Sequence, residues 1–398
     1  MNIDKIKIFQ KILNNNIKNI NNKIIKRNRK IDFKDIIYGS IYKCINNTSY
    51  EDIIYKINKN FINKNINQTI TKSAFIQKRN YIPNEYFLNI NDTFINFIYK
   101  NIKNPRIIAV DGSFLNLYKS FDKYGYEYAS DNKNYCKAII SCLYDITNKI
   151  PINYYLFKKR DERSAFKEQI KYLRFNDIVI FDRGYYSFDI VEKLNKIGVN
   201  YIFRLKYNKK EVQYMKKNDI DDYNFKIKNV NYRIVSYRIV SYRIDNSEED
   251  YYLFTNLMYK SIEDLKELYW KRWKVEVHFK ESKYNLSLNN ITLKTDNSLK
   301  QEIYIHNLLF ILYYFFNIEN NDSLLKSKYK INNKTGIKIF SEDIIYLLIF
   351  NKLTKSCFEK IIKYYKLILM STISIPNVKK MYERKRKKPY GKWYFSKK

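Results

Sequence analysis

The spacing of apolar residues changes along the chain and predicts regions of different structure. Residues 1–100 have the spacing of amphipathic helices, whereas the next hundred residues contain short apolar runs of strand length between helical segments. From residue 299 the pattern is helical and strongly apolar. The predicted regions are a helical domain (1–100), the first part of an α/β core (101–206), a β-rich insertion (207–253), the rest of the core (254–298), a C-terminal helical region (299–378) and a basic tail (379–398).

The α/β core has the predicted element order β-β-β-α-β-α-β. An apolar strand runs into Asp111-Gly112, and two further strands joined by a short turn form a hairpin. A helix follows, then a buried strand that ends at Asp182, a second helix and a third buried strand, YIFRLK. Apolar strands that meet helices in this way are typical of a layered α/β domain.

The N-terminal domain has two interpretations. Ser49 caps one predicted helix, and the next predicted helix carries Gln77, Lys78 and Arg79. Two short helices, the second of them polar and basic, are typical of a helix-turn-helix that binds DNA. A small helical bundle with a solvated basic face fits the same pattern, and the sequence does not separate the two.

The insertion contains a tandem repeat. Residues 232–244 read YRIVSYRIVSYRI, in which YRIVS occurs twice in succession and then begins again. Replication slippage within a strand-coding segment explains the repeat without a functional role. The alternation of apolar and polar residues still predicts β structure.

The helix after the insertion has two polar faces. At about 100° per residue, Tyr269, Arg272, Glu276 and Lys283 lie in one stripe about 60° wide, while the expected solvent face, which includes His278, lies elsewhere. Apolar residues are predicted to wall the stripe on both flanks: Trp270, Trp273 and Val277 on one, and Leu268, Val275 and Phe279 on the other. A second polar stripe between apolar walls indicates a functional site rather than ordinary solvation.

Charge and composition narrow the function. Lys and Arg outnumber Asp and Glu by 75 to 40, which suits a polyanionic partner, although part of this excess reflects a composition typical of AT-rich coding DNA. The basic tail is typical of a polyanion-binding arm. Four cysteines without paired spacing and two histidines argue against disulfide frameworks, zinc fingers and His-rich metal centres. Without an evident secretory signal or membrane span, a soluble intracellular protein is expected, DNA-associated in the cytoplasm, nucleoid or nucleus according to host.

Three carboxylates are candidates for a metal site. Asp111 and Asp182 each follow an apolar strand and precede a glycine by one or two residues, which indicates tight turns that expose the carboxylates. Taken singly, such aspartates are more often turn formers or helix caps. Together with Glu276 they form an all-oxygen ligand set that suits two Mg²⁺ or Mn²⁺ ions. Two such ions about 4 Å apart can activate a water or a 3′-hydroxyl and stabilise the leaving oxygen of a phosphodiester.

These motifs resemble those of the DDE transposases of the insertion-sequence-four group. DGS after one strand, DRGYYS after another and the spacing Y-x2-R-x3-E-x6-K on a helix match that group, and the clear resemblance covers about residues 106–290. SAFIQKR and the basic tail are also similar to it. The resemblance implies a ribonuclease-H-like fold, a mixed α/β sheet flanked by helices, with a β-rich insertion between the second Asp and the Glu.

The same resemblance implies residue roles and partners. The metal-binding triad would be Asp111, Asp182 and Glu276, and the residues that hold the terminal phosphates would be Tyr269, Arg272 and Lys283. The reaction would be cut-and-paste transposition: cleavage at terminal inverted repeats, then strand transfer into double-stranded target DNA by a homodimer on paired ends. An aromatic that stacks on a flipped base in some relatives has only weak candidates here, namely Tyr232, Tyr237 and Tyr242.

Two other functions fit the same chain. A two-metal DNA nuclease of this fold would cleave without transferring strands, and the sequence does not separate it from a transposase. A domesticated, non-catalytic DNA-binding protein or transposition repressor is the alternative from a different class. The presence of all three carboxylates favours an enzyme.

Overall fold

The computed structural model describes most of the chain up to residue 350. The described ranges are 3–24, 31–46, 48–63, 69–100, 104–129, 133–241, 247–285, 288–289, 293–325 and 332–350, with isolated positions between 356 and 367. The basic tail from residue 379 and the candidate Tyr242 lie outside them. Within the described part, no helix combines the length and the apolar character needed to cross a bilayer.

A mixed sheet forms the centre of the molecule. Its strands are β1 (Ile107–Tyr118), β2 (Glu127–Tyr128), β3 (Tyr135–Asp145), β4 (Ile150–Phe157), β5 (Ile178–Phe181), β6 (Asn200–Arg204), β7 (Asp222–Ile227), β8 (Val230–Ser241) and β9 (Ser247–Thr255). The order across the sheet is β2-β3-β1-β5-β6-β9-β8-β7, and β4 also pairs with β3. Strands β1, β5 and β6 run parallel to one another, and the other pairs are antiparallel. The predicted α/β fold class is confirmed.

Helices flank this sheet and form the described parts of both terminal regions. They are α1 (Ile3–Ile24), α2 (Phe33–Asn46), α3 (Tyr50–Asn63), α4 (Lys72–Tyr81), α5 (Glu85–Tyr99), α6 (Glu162–Gln169), α7 (Phe188–Lys196), α8 (Lys210–Lys217), α9 (Ile262–Lys271), α10 (Trp273–Lys280), α11 (Asp296–Leu325), α12 (Asn333–Ile339) and α13 (Ile345–Phe350). Side-chain caps fix where the core helices begin: Asp161 caps α6 and Ser187 caps α7. The predicted order β-β-β-α-β-α-β corresponds to β1, β3, β4, α6, β5, α7 and β6, with the short β2 added.

The insertion extends the main sheet. Strand β9 pairs with the core strand β6, with Phe254 opposite Phe203, and β8 and β7 continue the sheet outward. The prediction of β structure is confirmed, although the segment also contains α8. The first two copies of the repeat lie in β8, and their five-residue spacing places Tyr232 and Tyr237 on opposite faces, because side chains alternate along a strand. Both residues are buried.

The N-terminal helices pack on α11 through a buried ion cluster. Arg79 on α4 donates from Nη2 to Glu302 Oε2 at 2.6 Å, and Lys43 on α2 lies 3.2 Å from Glu302 Oε1. Lys78 is buried as well. Of the two interpretations left open by the sequence, this burial favours the helical bundle over a recognition helix that presents Lys78 and Arg79 to DNA, because a carboxylate more than two hundred positions later holds Arg79 inside. Gln77 alone of the three is exposed.

Candidate active site

The register of the parallel strands places the two aspartates side by side. β1 pairs with β5 as far as Ala109 and Ile180, and Asp111 and Asp182 each lie two residues beyond those positions. Asp182 follows the end of β5, as predicted. Asp111 does not end its strand, because β1 continues to residue 118 in antiparallel pairing with β3. The expected turn at Asp111-Gly112 is therefore wrong, yet both carboxylates lie at the same edge of the β1–β5 pair.

The helix that carries Glu276 faces this edge. A capping box of Ser261 and Asp264 starts α9, and Arg272 keeps helical backbone angles (φ −53°, ψ −37°) between α9 and α10, so the predicted helical phase is maintained. A π-helical turn, Glu281–Asn285, follows and contains Lys283. The four stripe residues therefore lie on consecutive turns of almost continuous helix.

Each stripe residue contacts the strand edge or another member of the stripe. Tyr269 donates its hydroxyl to Asp182 Oδ1 at 3.4 Å, and Arg272 Nη2 lies 3.0 Å from Glu276 Oε1. Lys283 Nζ donates to the carbonyl oxygen of Phe114 in β1 at 2.8 Å. Arg272, Glu276 and Lys283 also interact electrostatically with Asp111, so the six residues singled out from the sequence lie in one region.

The walls of the stripe differ from the expectation. One flank is buried as predicted, through Leu268, Val275 and Phe279, but the other is open, with exposed fractions of 47% for Trp270, 41% for Trp273 and 52% for Val277. His278, expected on the solvent face, is buried, lies 4.6 Å between ring centroids from Tyr144 and hydrogen-bonds Tyr154 at 2.5 Å. Burial lowers the pKa of His278 to about 3. The helix therefore packs through His278 as well as through the stripe, while Glu267, Lys271 and Lys274 of the expected solvent face are exposed.

The electrostatics of the site favour a cation. Burial raises the pKa of Asp111 to about 7; Arg272 opposes this shift, whereas the carboxylates of Glu162 and Glu276 add to it. The oxygens of the predicted triad do not all lie within 4.8 Å of one another. Oxygen donors of this kind fit Mg²⁺ or Mn²⁺, which would relieve their mutual repulsion.

Two further residues at the site escaped the sequence analysis. Glu162, the first residue of α6, places its carboxylate against the glycine after Asp111: a Cβ on Gly112 would lie 2.9 Å from Glu162 Oε1. Tyr185 is buried, and its hydroxyl has no hydrogen-bond partner in the described part of the chain. In the sequence, Glu162 is an ordinary acidic residue in the first turn of a helix, and only the fold shows its position.

A basic cleft adjoins Asp182 and was also missed. Two neighbouring hollows of about 390 and 150 Å³ share Arg183, Lys206 and Asn208 in their lining. The other cationic residues that line them are Arg163, Arg204 and Lys209. These five cations come from three separate segments of the chain, at 163, 183 and 204–209, and sequence spacing did not indicate that the three segments lie together.

The weak candidates for base stacking do not present free rings. Tyr232 stacks on Phe254 with ring centroids 5.3 Å apart, and its hydroxyl accepts a hydrogen bond from Asn195. Tyr237 packs on Tyr251, with centroids 5.7 Å apart. Both tyrosines belong to the core, so the structure contradicts these two candidates.

A second possible metal group is better explained as an ion network. Ligand atoms of Cys44, Glu302 and His306 lie within 4.8 Å of one another and are buried. Burial would raise the pKa of Glu302, but Arg79 and Lys43 outweigh it and lower that pKa to about 2. Because two cations already neutralise this carboxylate, a divalent ion there would face their repulsion.

Comparison with known proteins identifies the family. The sequence model of the family described as "Transposase DDE domain" matches residues 102–312, more than half of the chain, and the chain therefore belongs to that family. It is accordingly a DNA transposase of the DDE class, an enzyme that acts on DNA, and members of this class use divalent metal ions. Membership of the insertion-sequence-four group stays a prediction.

The solved structures that match this chain include one transposase complex. It is a cryo-EM structure of the piggyBac transposase synaptic complex with hairpin DNA, at 14% sequence identity and a TM-score of 0.46, covering 94% of this chain and 86% of that chain. No curated protein matches the sequence.

Proposed function

We propose that the chain carries out cut-and-paste transposition, in which it cleaves DNA at terminal inverted repeats and transfers the released strands into target DNA. The observation that carries this proposal is the register of β1 and β5, which sets Asp111 beside Asp182 opposite the stripe of Glu276. Asp111, Asp182 and Glu276 would hold two Mg²⁺ or Mn²⁺ ions. When bound, these ions supply an activated hydroxyl nucleophile and stabilise the leaving oxygen of the phosphodiester.

The chain's own residues would orient the DNA. Arg272 is buried beside Glu276, and its Nε has no hydrogen-bond partner in the described part of the chain, so a bound phosphate would supply this donor with an acceptor. Tyr269 fixes the orientation of Asp182 through its hydroxyl. Lys283, held against β1, adds positive charge next to Asp111. The three side chains thus suit the terminal phosphates of an element end.

The basic cleft beside Asp182 would continue the DNA path. Its Arg and Lys residues suit a phosphate backbone, which such side chains bind without reading sequence. A homodimer on paired ends is the assembly that the family resemblance implies, and it is part of this proposal. The terminal repeats and target DNA are the proposed substrates.

Substitution of the carboxylates tests the proposal. Asp111→Ala, Asp182→Ala and Glu276→Ala should each abolish metal-dependent cleavage of an element end, because one lost ligand removes an ion from a two-metal site. Binding of that end should be largely retained, since it depends mainly on basic contacts. The matched control is Glu168→Ala, an exposed carboxylate on α6 that should cleave at the wild-type rate. Cleavage near that rate by any of the three variants would refute the assignment.

A test that separates a transposase from a nuclease uses a different DNA substrate. A pre-cleaved end with a free 3′-hydroxyl bypasses the cleavage step and reports strand transfer alone. Joined products would support transposition, whereas cleavage of intact ends without joined products would favour a two-metal nuclease of the same fold.

A further inference from the structure

The carboxylate of Glu162 lies between the two glycines that follow the aspartates. A Cβ on Gly112 would lie 2.9 Å from both Glu162 Cγ and Oε1, and a Cβ on Gly184 would lie 3.8 Å from Oε2. The chain has only seven glycines, and these two stand one residue after Asp111 and two residues after Asp182. Their missing side chains leave the space that brings a fourth carboxylate to the strand edge.

Glu162 has no structural partner that explains this position. The cap of α6 is Asp161, whose side chain accepts from the backbone of Arg163 and from Ser164, so Glu162 is not needed to start the helix. The neighbouring Arg163 donates from Nε to the carbonyl of Gly184 at 2.7 Å. Across the ranges that the structure describes, no lysine or arginine forms an ion pair with Glu162. A half-buried carboxylate next to other acids and without a cation is unfavourable.

A second observation points to a ligand at this place. The hydroxyl of Tyr185 is fully enclosed and has no partner among the described residues, and the charges of Glu162, Asp111, Asp182 and Arg272 all act on it. A buried hydroxyl without a partner costs free energy that a bound ligand would recover. The water shell of a metal ion would offer this hydroxyl an acceptor.

We propose that Glu162 is a fourth metal-binding carboxylate of this site and shares one of the two divalent ions with Asp182. This inference rests on the proposed function, since it adds a ligand to the same metal site. The charge balance agrees with it. Three carboxylates beside the Arg272 guanidinium carry a net charge of about −2, whereas two divalent ions bring about +4, so a further carboxylate reduces the excess positive charge.

Metal binding by the full chain without DNA tests the inference. Mn²⁺ titrated into the wild type, Glu162→Gln and Glu168→Gln would be followed by calorimetry and by the Mn²⁺ electron paramagnetic resonance signal. Glu162→Gln should weaken one binding step at least about tenfold. Glu168→Gln, on the exposed side of the same helix, should bind as the wild type does. Wild-type Mn²⁺ binding by Glu162→Gln would overturn the inference.

Thermal melts separate this role from a merely structural one. If Glu162 is a metal ligand, Glu162→Gln should leave the Tm in EDTA unchanged or raise it, because repulsion from Asp182 is removed. The same substitution should reduce the increase in Tm on adding Mn²⁺. A structural role predicts a lower Tm in EDTA with the Mn²⁺ gain intact, which would overturn the inference. Glu162→Asp, which keeps the charge, should restore part of the Mn²⁺ affinity.

Asp182→Asn separates failure of the inference about Glu162 from failure of the proposed metal site. If Asp182→Asn loses Mn²⁺ affinity while Glu162→Gln does not, the proposed function stands and the inference about Glu162 fails. If Asp111→Asn and Asp182→Asn both bind Mn²⁺ as the wild type does, the metal site itself is wrong.

Discussion

Arg272 and Glu276 form an ion pair one helical turn apart, with Nη2 3.0 Å from Oε1. The guanidinium is almost completely buried, whereas the carboxylate keeps about a third of its side chain exposed, at 29%. Nη2 of the guanidinium donates to Glu276, whereas Nε, on the same edge of the guanidinium, has no hydrogen-bond partner among the described residues. This geometry suits an arginine that holds the carboxylate of Glu276 in place and also binds an anion.

Substitution of Arg272 should be far more damaging than substitution of its neighbour. Arg272→Ala should reduce the cleavage rate of bound DNA by roughly a hundredfold. The reason is that Arg272 would hold the phosphate in position for in-line attack, and loss of this positioning slows the reaction. Lys271→Ala, with the same charge on an exposed side chain, should change that rate little. Single-turnover cleavage at saturating DNA measures both. Equal losses of cleavage rate in the two variants would show that the position of a residue around the helix does not determine its role here.

Metal binding should depend on pH through Asp111. Burial raises the pKa of Asp111 to about 7 in the metal-free protein, above the value of about 4 expected when unfolded. The folded state therefore binds the extra proton between these values, so the stability of the metal-free protein should fall as pH rises through this window.

Metal ligation requires the ionised carboxylate, and Mn²⁺ affinity should consequently rise from about pH 6 to about pH 8 with proton release at the lower pH. Calorimetry in buffers of different ionisation enthalpy measures the released protons. Asp111→Asn should remove the pH-dependent step. An affinity that is flat across this range in the wild type would contradict the assignment of Asp111.

The buried pair of Arg79 and Glu302 should dominate the stability of the terminal helices. Arg79→Ala should lower the free energy of unfolding by about 3–5 kcal/mol, because it leaves a buried carboxylate less compensated. The control is Lys72→Ala on the same helix, whose pair with Glu51 is exposed to solvent and should contribute little to stability. Chemical denaturation of both variants gives the comparison, and similar losses would contradict the structural role of Arg79.

DNA affinity should be strongly electrostatic. With a net charge of +35, the logarithm of the DNA association constant should fall linearly and steeply with the logarithm of the salt concentration. Deletion of residues 379–398 should reduce that slope without changing which end sequence is preferred, because phosphate contacts position DNA while base contacts specify it. Binding to specific and scrambled ends over a salt series measures both effects. A tail deletion that erased the preference would place sequence recognition in the tail.

The sequence predicted the strands and helices of the core better than it predicted which polar side chains are buried against them. The apolar runs of β1 and β5 and the spacing from Tyr269 to Lys283 are local patterns, and the structure follows them. Burial set by distant residues could not be predicted in this way. Arg79 looks like a surface cation until Glu302 packs against it, and Glu162 looks like a helix-start residue until two glycines admit it to the strand edge.

The YRIVS repeat has a consequence for variation in the gene. Its first copy pairs with β7 and with the part of β9 nearest the core, whereas the second copy pairs with residues 247–251 toward the tip of the hairpin. Loss of one copy removes fifteen nucleotides, keeps the reading frame and leaves Tyr-Arg-Ile in the same order. Length variants of this tract should therefore shorten or extend the hairpin tip and leave the strand edge that holds Asp182 untouched, which end-cleavage assays of such variants would show.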